Sequence, residues 1–415
     1  MAGAVEQTHV GNVPDPAGMR LTASERSGFT RAEYLERVQR VRAAMESAGV
    51  EVLVLPDPAN MYYVTGYDLP SHYLPQAAIL TLEQEEPLLF LRAMDVVSGR
   101  SRIFPEPGNV IGFPEHYVGS EELHPMDFIA AQIRARGWHA RRLAVPRNTL
   151  YYTVESHERL QRRLGGVALQ DPGLLLDRVR AVKSEQEIFY MRRAAVIVQQ
   201  EMDAVLHAIR PGTRECDAVA VAYEAAIRGT PEFCGGVPVD PVIARGEKAS
   251  AAHSVYAEDV FRSGESVNIE LDASHRNYHC ALARTLHLGK PPPALRQLAD
   301  LVLQGFTAAL EAMQPDATCA DVAAAWRGVI GRAGHESENR IGYSIGMGFP
   351  PDWGERSASL QPGDGTRLQG GMTFYLVAAM GTARHNVVVG ETVLITRTGH
   401  ESLSTLPPRL LLREV

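Results

Sequence analysis

Hydrophobic and polar positions change period along the chain, and the changes mark the elements. From Thr30, the residues Leu35, Val38, Val41 and Met45 recur in steps of three and four up to Gly49, which predicts an amphipathic helix. Residues 50–55 then run apolar without a break, as a buried strand does, and Pro56-Asp57-Pro58 interrupts them. Further strands are predicted at residues 77–82 and 87–91, with helices following His124-Pro125 and Thr153. Strands alternating with helices make residues 29–175 an α/β domain. Residues 1–28 are polar, carry Gly and Pro, and read as an extended or disordered arm.

A different pattern begins near residue 176. Ser184 with Glu187 three positions on forms a capping box. Behind it Ile188, Met191, Ala195, Val198, Met202, Val205 and Ile209 make a core-facing helical stripe, closed by Pro211-Gly212. Two more helices are predicted over residues 293–313 and 320–333. Strands are predicted at residues 241–244, 267–288, 372–378 and 387–396, which makes residues 176–415 an α+β domain with antiparallel strands and helices on one side.

Residues 267–289 form the most informative stretch. Val267, Ile269 and Leu271 alternate with Asn268, Glu270 and Asp272, so one strand face is apolar and the other carries two carboxylates. A polar turn over residues 274–277 leads into a second strand that brings His279 and Ala281 near the carboxylate face. Paired acids in an apolar hairpin are costly without a partner or a task, unless the hairpin is an exposed edge with solvated acids.

Composition narrows the possibilities. The 415 residues are 45% hydrophobic and can bury a large core. Acidic residues outnumber basic ones, 49 to 41, which argues against a nucleic-acid-binding surface. No apolar run has the length of a membrane span, and no signal peptide is visible. The four cysteines are widely spaced, as in a cytoplasmic protein with reduced thiols.

The second domain resembles the creatinase/prolidase/methionine-aminopeptidase family, whose fold is called the pita bread. The resemblance rests on Arg180-x-x-Lys183-Ser184-x-x-Glu187, Ala252-His253, Gly264-Glu265-x-Val267, Arg284-Thr285, Gly342-Tyr343-Ser344-Ile345-Gly346, Gly371-Met372-Thr373-Phe374 and residues 391–396, in this order. It implies a creatinase-like N-terminal domain ahead of a pita-bread domain with a curved antiparallel sheet. Metal-dependent members bind two divalent cations at positions that correspond here to Glu270, Ala281, Tyr343, Val377 and Gly390. Ala, Val and Gly side chains offer no ligand atom, so the expectation is a site without metal or other cofactor.

The closer resemblance is to the metal-free subgroup that includes ectoine hydrolase. It is carried by residues 57–68, by His124-Pro125-Met126-Asp127, by Tyr278-His279-Cys280, and by residues 346–356. It implies a C–N bond hydrolase acting on a small cyclic amidine, guanidino acid or related amide. In the family, the position of His253 transfers protons and binds substrate, and that of Glu270 is the carboxylate thought to bond to the amidine carbon. Three places depart from the subgroup: residues 69–72, where an aromatic pair is replaced by Leu69-Pro70-Ser71-His72; Tyr375, which replaces His; and Asp272, which replaces a small residue. These put ectoine itself in question as substrate, though not the chemistry.

Amidinium and guanidinium carbons resist water, so cleavage needs a positioned nucleophile and a proton for the departing nitrogen. Glu270 is either that nucleophile or the carboxylate that holds the cation while His253 activates a water. His279 is a second proton shuttle or a packed histidine. Tyr343 and Tyr375 can hydrogen-bond a substrate, and Asp272 lies on the pocket face. Arg340 and Arg356 can pair with a substrate carboxylate, unless they serve structural ion pairs. Trp353 reads as core and Glu391 as structural. Tyr67, His72 and Tyr73 form an aromatic group which, by the resemblance, reaches the partner's pocket in a homodimer. Rival readings are a lyase or tailoring enzyme, which Asp272 would support, and an inactive binding module. A metallopeptidase is disfavoured by the lost ligands.

Overall fold

The structure, a computed structural model, describes residues 28–99, 103–250, 253–382 and 385–414. Apart from Gly28, the arm expected over residues 1–28 falls outside the described residues. The chain divides into two compact units between Gly173 and Leu174.

The first unit opens with α1 (Arg31–Ser47), which starts where the Thr30 hydroxyl accepts a hydrogen bond from the Glu33 amide at 3.2 Å. It is followed by β1 (Val52–Leu55) and α2 (Pro58–Thr65). The Pro56-Asp57-Pro58 break therefore ends one element and starts the next. Asp57 caps α2 by accepting from the amides of Ala59 and Asn60, and Pro58 takes the first turn, where no amide is needed. Then come β2 (Ala77–Thr81), β3 (Leu88–Arg92), α3 (Ala93–Gly99), β4 (Val110–Phe113), α4 (Pro125–Ala135), β5 (Leu143–Ala144) and α5 (Val154–Arg163). The sheet runs β4-β3-β2-β1-β5 and is mixed, with β1 antiparallel to β2 and parallel to β5. Its core gathers Val52, Val54, Ile79 and Phe90 against Ile129 and Ile133 of α4.

The second unit contains α6 (Leu175–Ala181), α7 (Glu185–Ala208), α8 (Glu215–Arg228), β6 (Val242–Arg245), β7 (Ser266–His275) and β8 (Tyr278–Leu288). After these come α9 (Pro293–Glu311), α10 (Cys319–Arg332), β9 (Gly342–Phe349), β10 (Asp352–Ser359), β11 (Thr373–Gly381) and β12 (Asn386–Ile395), then the short β13 (His400–Ser402) and β14 (Leu411–Arg413). The capping box of α7 is present in both directions: Ser184 Oγ accepts from the Glu187 amide, and Glu187 Oε2 accepts from the Ser184 amide. The strand order is β10-β9-β11-β12-β8-β7-β6, with β13 beside β12 and β14 beside β8. Pairing is antiparallel except for β14, which runs parallel to β8. Strand β9 pairs with β11 and also touches β8 through Tyr278 and Met347. Two strands, β11 and β12, lie between β9 and β8 in the order, so a flat sheet could not make that contact. The sheet is curved.

The apolar stripe of α7 packs on Ile269, Leu271 and Leu282, and α9 and α10 pack on Leu376, Val389 and Val393. The opposite face of the sheet is left for chemistry. Three residues of the Arg180-x-x-Lys183-Ser184-x-x-Glu187 motif tie the chain entry to that sheet. Lys183 Nζ donates to Glu355 Oε2 at 2.6 Å, Arg180 lies 3.4 Å from the same carboxylate, and Glu187 accepts from Tyr278 Oη at 2.8 Å.

The hairpin turn is tighter than expected. Strand β7 continues through Ser274 and His275, and Arg276 and Asn277 make the reversal, both at positive φ (53° and 61°). That is the two-residue turn whose twist matches antiparallel strands, and asparagine tolerates it well.

Candidate active site

Strands β6 to β9, β11 and β12 surround the candidate residues. The hairpin register places Glu270 opposite Ala283, Asp272 opposite Ala281 and Ser274 opposite His279. Glu270, Asp272, Ala281 and His279 thus share the face that the alternation indicated. They do not share an environment.

A cavity of about 690 Å³ opens on this face, a size suited to a small molecule. Glu270, His253, Tyr343, Arg340, Asn268 and Asn339 line it, together with apolar Ile341, Val377 and Val388. Glu270 is partly buried. Burial pushes its carboxyl up from the ordinary range, against the hydrogen bond from Tyr375 and the nearby His253, which hold it down. Tyr375 Oη donates to Glu270 Oε1 at 2.9 Å. His253 is exposed at the cavity wall. Tyr343 Oη accepts from Trp353 Nε1 at 2.8 Å, which leaves its own proton for another acceptor. Burial, then the charge of Glu270, raise the Tyr343 hydroxyl above its usual pKa, so it remains a donor. The Arg340 guanidinium lies 4.2 Å over the Tyr343 ring, held as a cation at the cavity. A second cavity of about 250 Å³, beside Arg178 and Met372, contains none of the candidate residues.

Other candidates are placed differently. Asp272 is fully buried and does not line the cavity. Its carboxylate meets His279 Nδ1 at 2.8 Å and accepts from the Val239 amide at 3.3 Å. His279 is buried as well, with Nε2 3.2 Å from the Gly348 carbonyl, so both ring nitrogens are engaged by protein. Direct substrate contact by Asp272, and proton shuttling by His279, do not fit that packing. Tyr375 is fully buried with its hydroxyl on Glu270, so it acts behind the carboxylate rather than on the cavity wall. Arg356 is exposed on β10 and outside the cavity lining. Trp353 is buried and reaches Tyr343, a contact its reading as core did not include. Glu391 forms a buried ion pair with Arg284, which also donates to the Gly390 carbonyl at 2.9 Å. Burial pushes the Glu391 carboxyl up to about 7 despite Arg284.

In the first unit, Tyr67 is fully buried and bonded through Oη to Ser71 at 2.8 Å. His72 lies between the rings of Tyr67 and Tyr151, and burial pushes its imidazole down to about 4. Tyr73 is 74% exposed.

The donor set does not fit a dinuclear metal centre. Ala281, Val377 and Gly390 offer no ligating side-chain atom. A Cβ on Gly390 would lie 2.5 Å from Tyr375 Oη, so the room for a ligand there is already filled. Among the described residues, no group of three or more His, Cys, Asp or Glu side chains could hold an ion.

An α/β unit followed by a curved, largely antiparallel sheet with a cavity on its open face defines the creatinase/prolidase class of two-domain proteins. The chain belongs to metallopeptidase family M24: the family's model matches residues 190–397, and the creatinase/prolidase N-terminal domain model matches residues 37–182. It is 36% identical to an ectoine hydrolase of Halomonas elongata over 93% of this chain and 98% of that one. It is 35% identical to an uncharacterized hydrolase/peptidase, y4tM, of Sinorhizobium fredii over 93% and 99%. In fold it is similar to the crystal structure of the dipeptidase PepE from Mycobacterium ulcerans, with TM-score 0.79, 21% identity and coverage of 93% and 100%. No helix of the described residues is long and apolar enough to cross a membrane.

Proposed function

We propose that this chain is a metal-independent hydrolase that cleaves a C–N bond of a small cyclic amidine, guanidino acid or related amide. One observation carries the reading. Among the described residues a single carboxylate, Glu270, faces the cavity, while the neighbouring positions that would complete a metal centre are Ala281, Val377 and Gly390. The similarity to an ectoine hydrolase supports the substrate class.

Glu270 meets the cationic carbon, and the mostly apolar surroundings strengthen that attraction. His253, on the cavity wall, takes a proton from water and returns it to the departing nitrogen. Tyr343 donates to a substrate acceptor, and Arg340 pairs with a substrate carboxylate. The product carries the elements of one water.

The lyase reading drew on His253 as base and Asp272 as an extra carboxylate, and the burial of Asp272 against His279 removes the second of these supports. The protein is proposed to be a cytoplasmic homodimer in which the partner's N-terminal unit completes the pocket. The free thiols of Cys216, Cys234, Cys280 and Cys319 accord with a reducing compartment. Of the N-terminal aromatics, Tyr73 is the one exposed enough to meet a ligand across such an interface.

A crystal soaked with ectoine and a panel of guanidino acids tests the reading. Ligand density against Glu270 is expected. Saturating soaks that leave this cavity empty, or density bound elsewhere, would rule it out.

A further inference from the structure

Gly390 sits in the middle of β12, opposite Val377 of β11. Its backbone is not in the left-handed region, so conformation alone does not call for glycine there. Glycine in a strand interior weakens the strand and often marks the close approach of another group. Here that group is Tyr375. A Cβ on Gly390 would lie 2.5 Å from the phenolic oxygen and 2.8 Å from Cε2 and Cζ of the ring. Real atoms do not approach so closely, and the ring could make room only by leaving its place. It is fully buried, with Tyr343 and Trp353 edge-on at centroid distances of 5.8 and 6.2 Å.

The position of that ring has a consequence at Glu270. Tyr375 Oη donates to Oε1 at 2.9 Å. Among the described residues, Oε2 has no hydrogen-bond partner, and it is not among the solvent-inaccessible atoms, so it is the oxygen left to the cavity. One phenol therefore decides which carboxylate oxygen faces outward, and one missing side chain decides whether the phenol fits.

We propose that Tyr375 is the positioning residue of Glu270, that Gly390 is glycine to admit it, and that Oε2 is the oxygen presented to the substrate carbon. The proposal rests on the reading of Glu270 as the group that meets the substrate. It makes Tyr375 and Gly390 one device: a side chain at 390 evicts the phenol and has the same effect on Glu270 as deleting the hydroxyl.

The test compares Tyr375→Phe, Gly390→Ala and the double variant. Loss of one hydrogen bond to a charged group corresponds to a fall of about 10- to 100-fold in kcat. It is expected in each single variant with KM nearly unchanged, because the lost interaction aims the carboxylate at the reacting carbon rather than binding the substrate. The double variant is expected to be no worse than the poorer single one. Losses that multiply in the double variant, or full kcat in Tyr375→Phe, would overturn the proposal. Tyr375→Phe adds no atom, so it decides alone if Gly390→Ala does not fold.

Crystal structures of the variants give a readout that needs no substrate. The Glu270 carboxylate is expected to leave its wild-type orientation in Tyr375→Phe, and Tyr375 Oη to lie beyond hydrogen-bond reach of Oε1 in Gly390→Ala. A carboxylate unmoved in both overturns the proposal. These displacements in a protein that hydrolyses no amidine or guanidino acid would refute the proposed activity and uphold the positioning.

Discussion

Nδ1 of His279 lies 2.8 Å from Oδ2 of Asp272, and both side chains are buried beneath the hairpin. On its other side, His279 Nε2 faces the Gly348 carbonyl at 3.2 Å. A carbonyl only accepts, so Nε2 carries a proton, and an ionised Asp272 at Nδ1 favours a second one, the imidazolium form. Burial pushes its pKa down, but the charge and hydrogen bond of Asp272 and the Gly348 carbonyl more than offset it, and the net shift is upward. The pair ties β8 to β7, and the Gly348 contact ties β8 to the end of β9, the strand that carries Tyr343.

This latch predicts a pH dependence of stability. A histidine whose folded pKa is raised contributes stability that is fully present below its unfolded value of 6.5 and is lost as pH rises through the folded value. Urea unfolding of the second unit is therefore expected to show declining stability on the alkaline side, attributable to this group. His279→Gln should flatten that part of the profile. An identical profile in the variant would contradict the latch.

Removing the carboxylate should be costly. Asp272→Ala leaves a buried imidazole with one partner gone, and breaking a buried pair this way costs on the order of 3–5 kcal/mol. Chemical denaturation measures it. A loss below about 1 kcal/mol, the value of an exposed pair, would mean that the two groups are solvated in the working protein.

Arg340 should decide affinity for acidic substrates. It has no acceptor among the described residues and is held over Tyr343 by the ring face. Replacement by Met is expected to raise KM about tenfold for a carboxylate-bearing substrate, and by Lys nearly as much, since an ammonium does not reproduce bidentate pairing. An amidine that lacks a carboxylate should be insensitive. Equal effects on both substrates would assign Arg340 to structure.

The fold was largely legible because long periodic segments carry their own evidence. The stripe of α7 and its Ser184–Glu187 box, and the alternation that makes β7, both correspond to elements of the structure. The short α3, β4 and β5 gave too few residues for a period. Helix α8 was hidden because its Ala and Val residues run unbroken over residues 218–222, which masks the helical period. For the site, alternation put Glu270 and Asp272 on one face, but it could not say that only one of them reaches the cavity. That depends on His279 and Gly348, seven and seventy-six positions further on. The packing of Tyr375 on Gly390 was equally invisible. Gly390 gave one available signal, a glycine inside a strand rich in β-branched residues.

The most direct measurement is product mass after incubating chelator-treated wild-type protein and Glu270→Ala with cyclic amidines and guanidino acids. The account predicts that the metal-stripped wild type adds one water to a member of the panel and that Glu270→Ala does not. Turnover that returns only with an added divalent cation, a product that gains no water, or full activity in Glu270→Ala would contradict it.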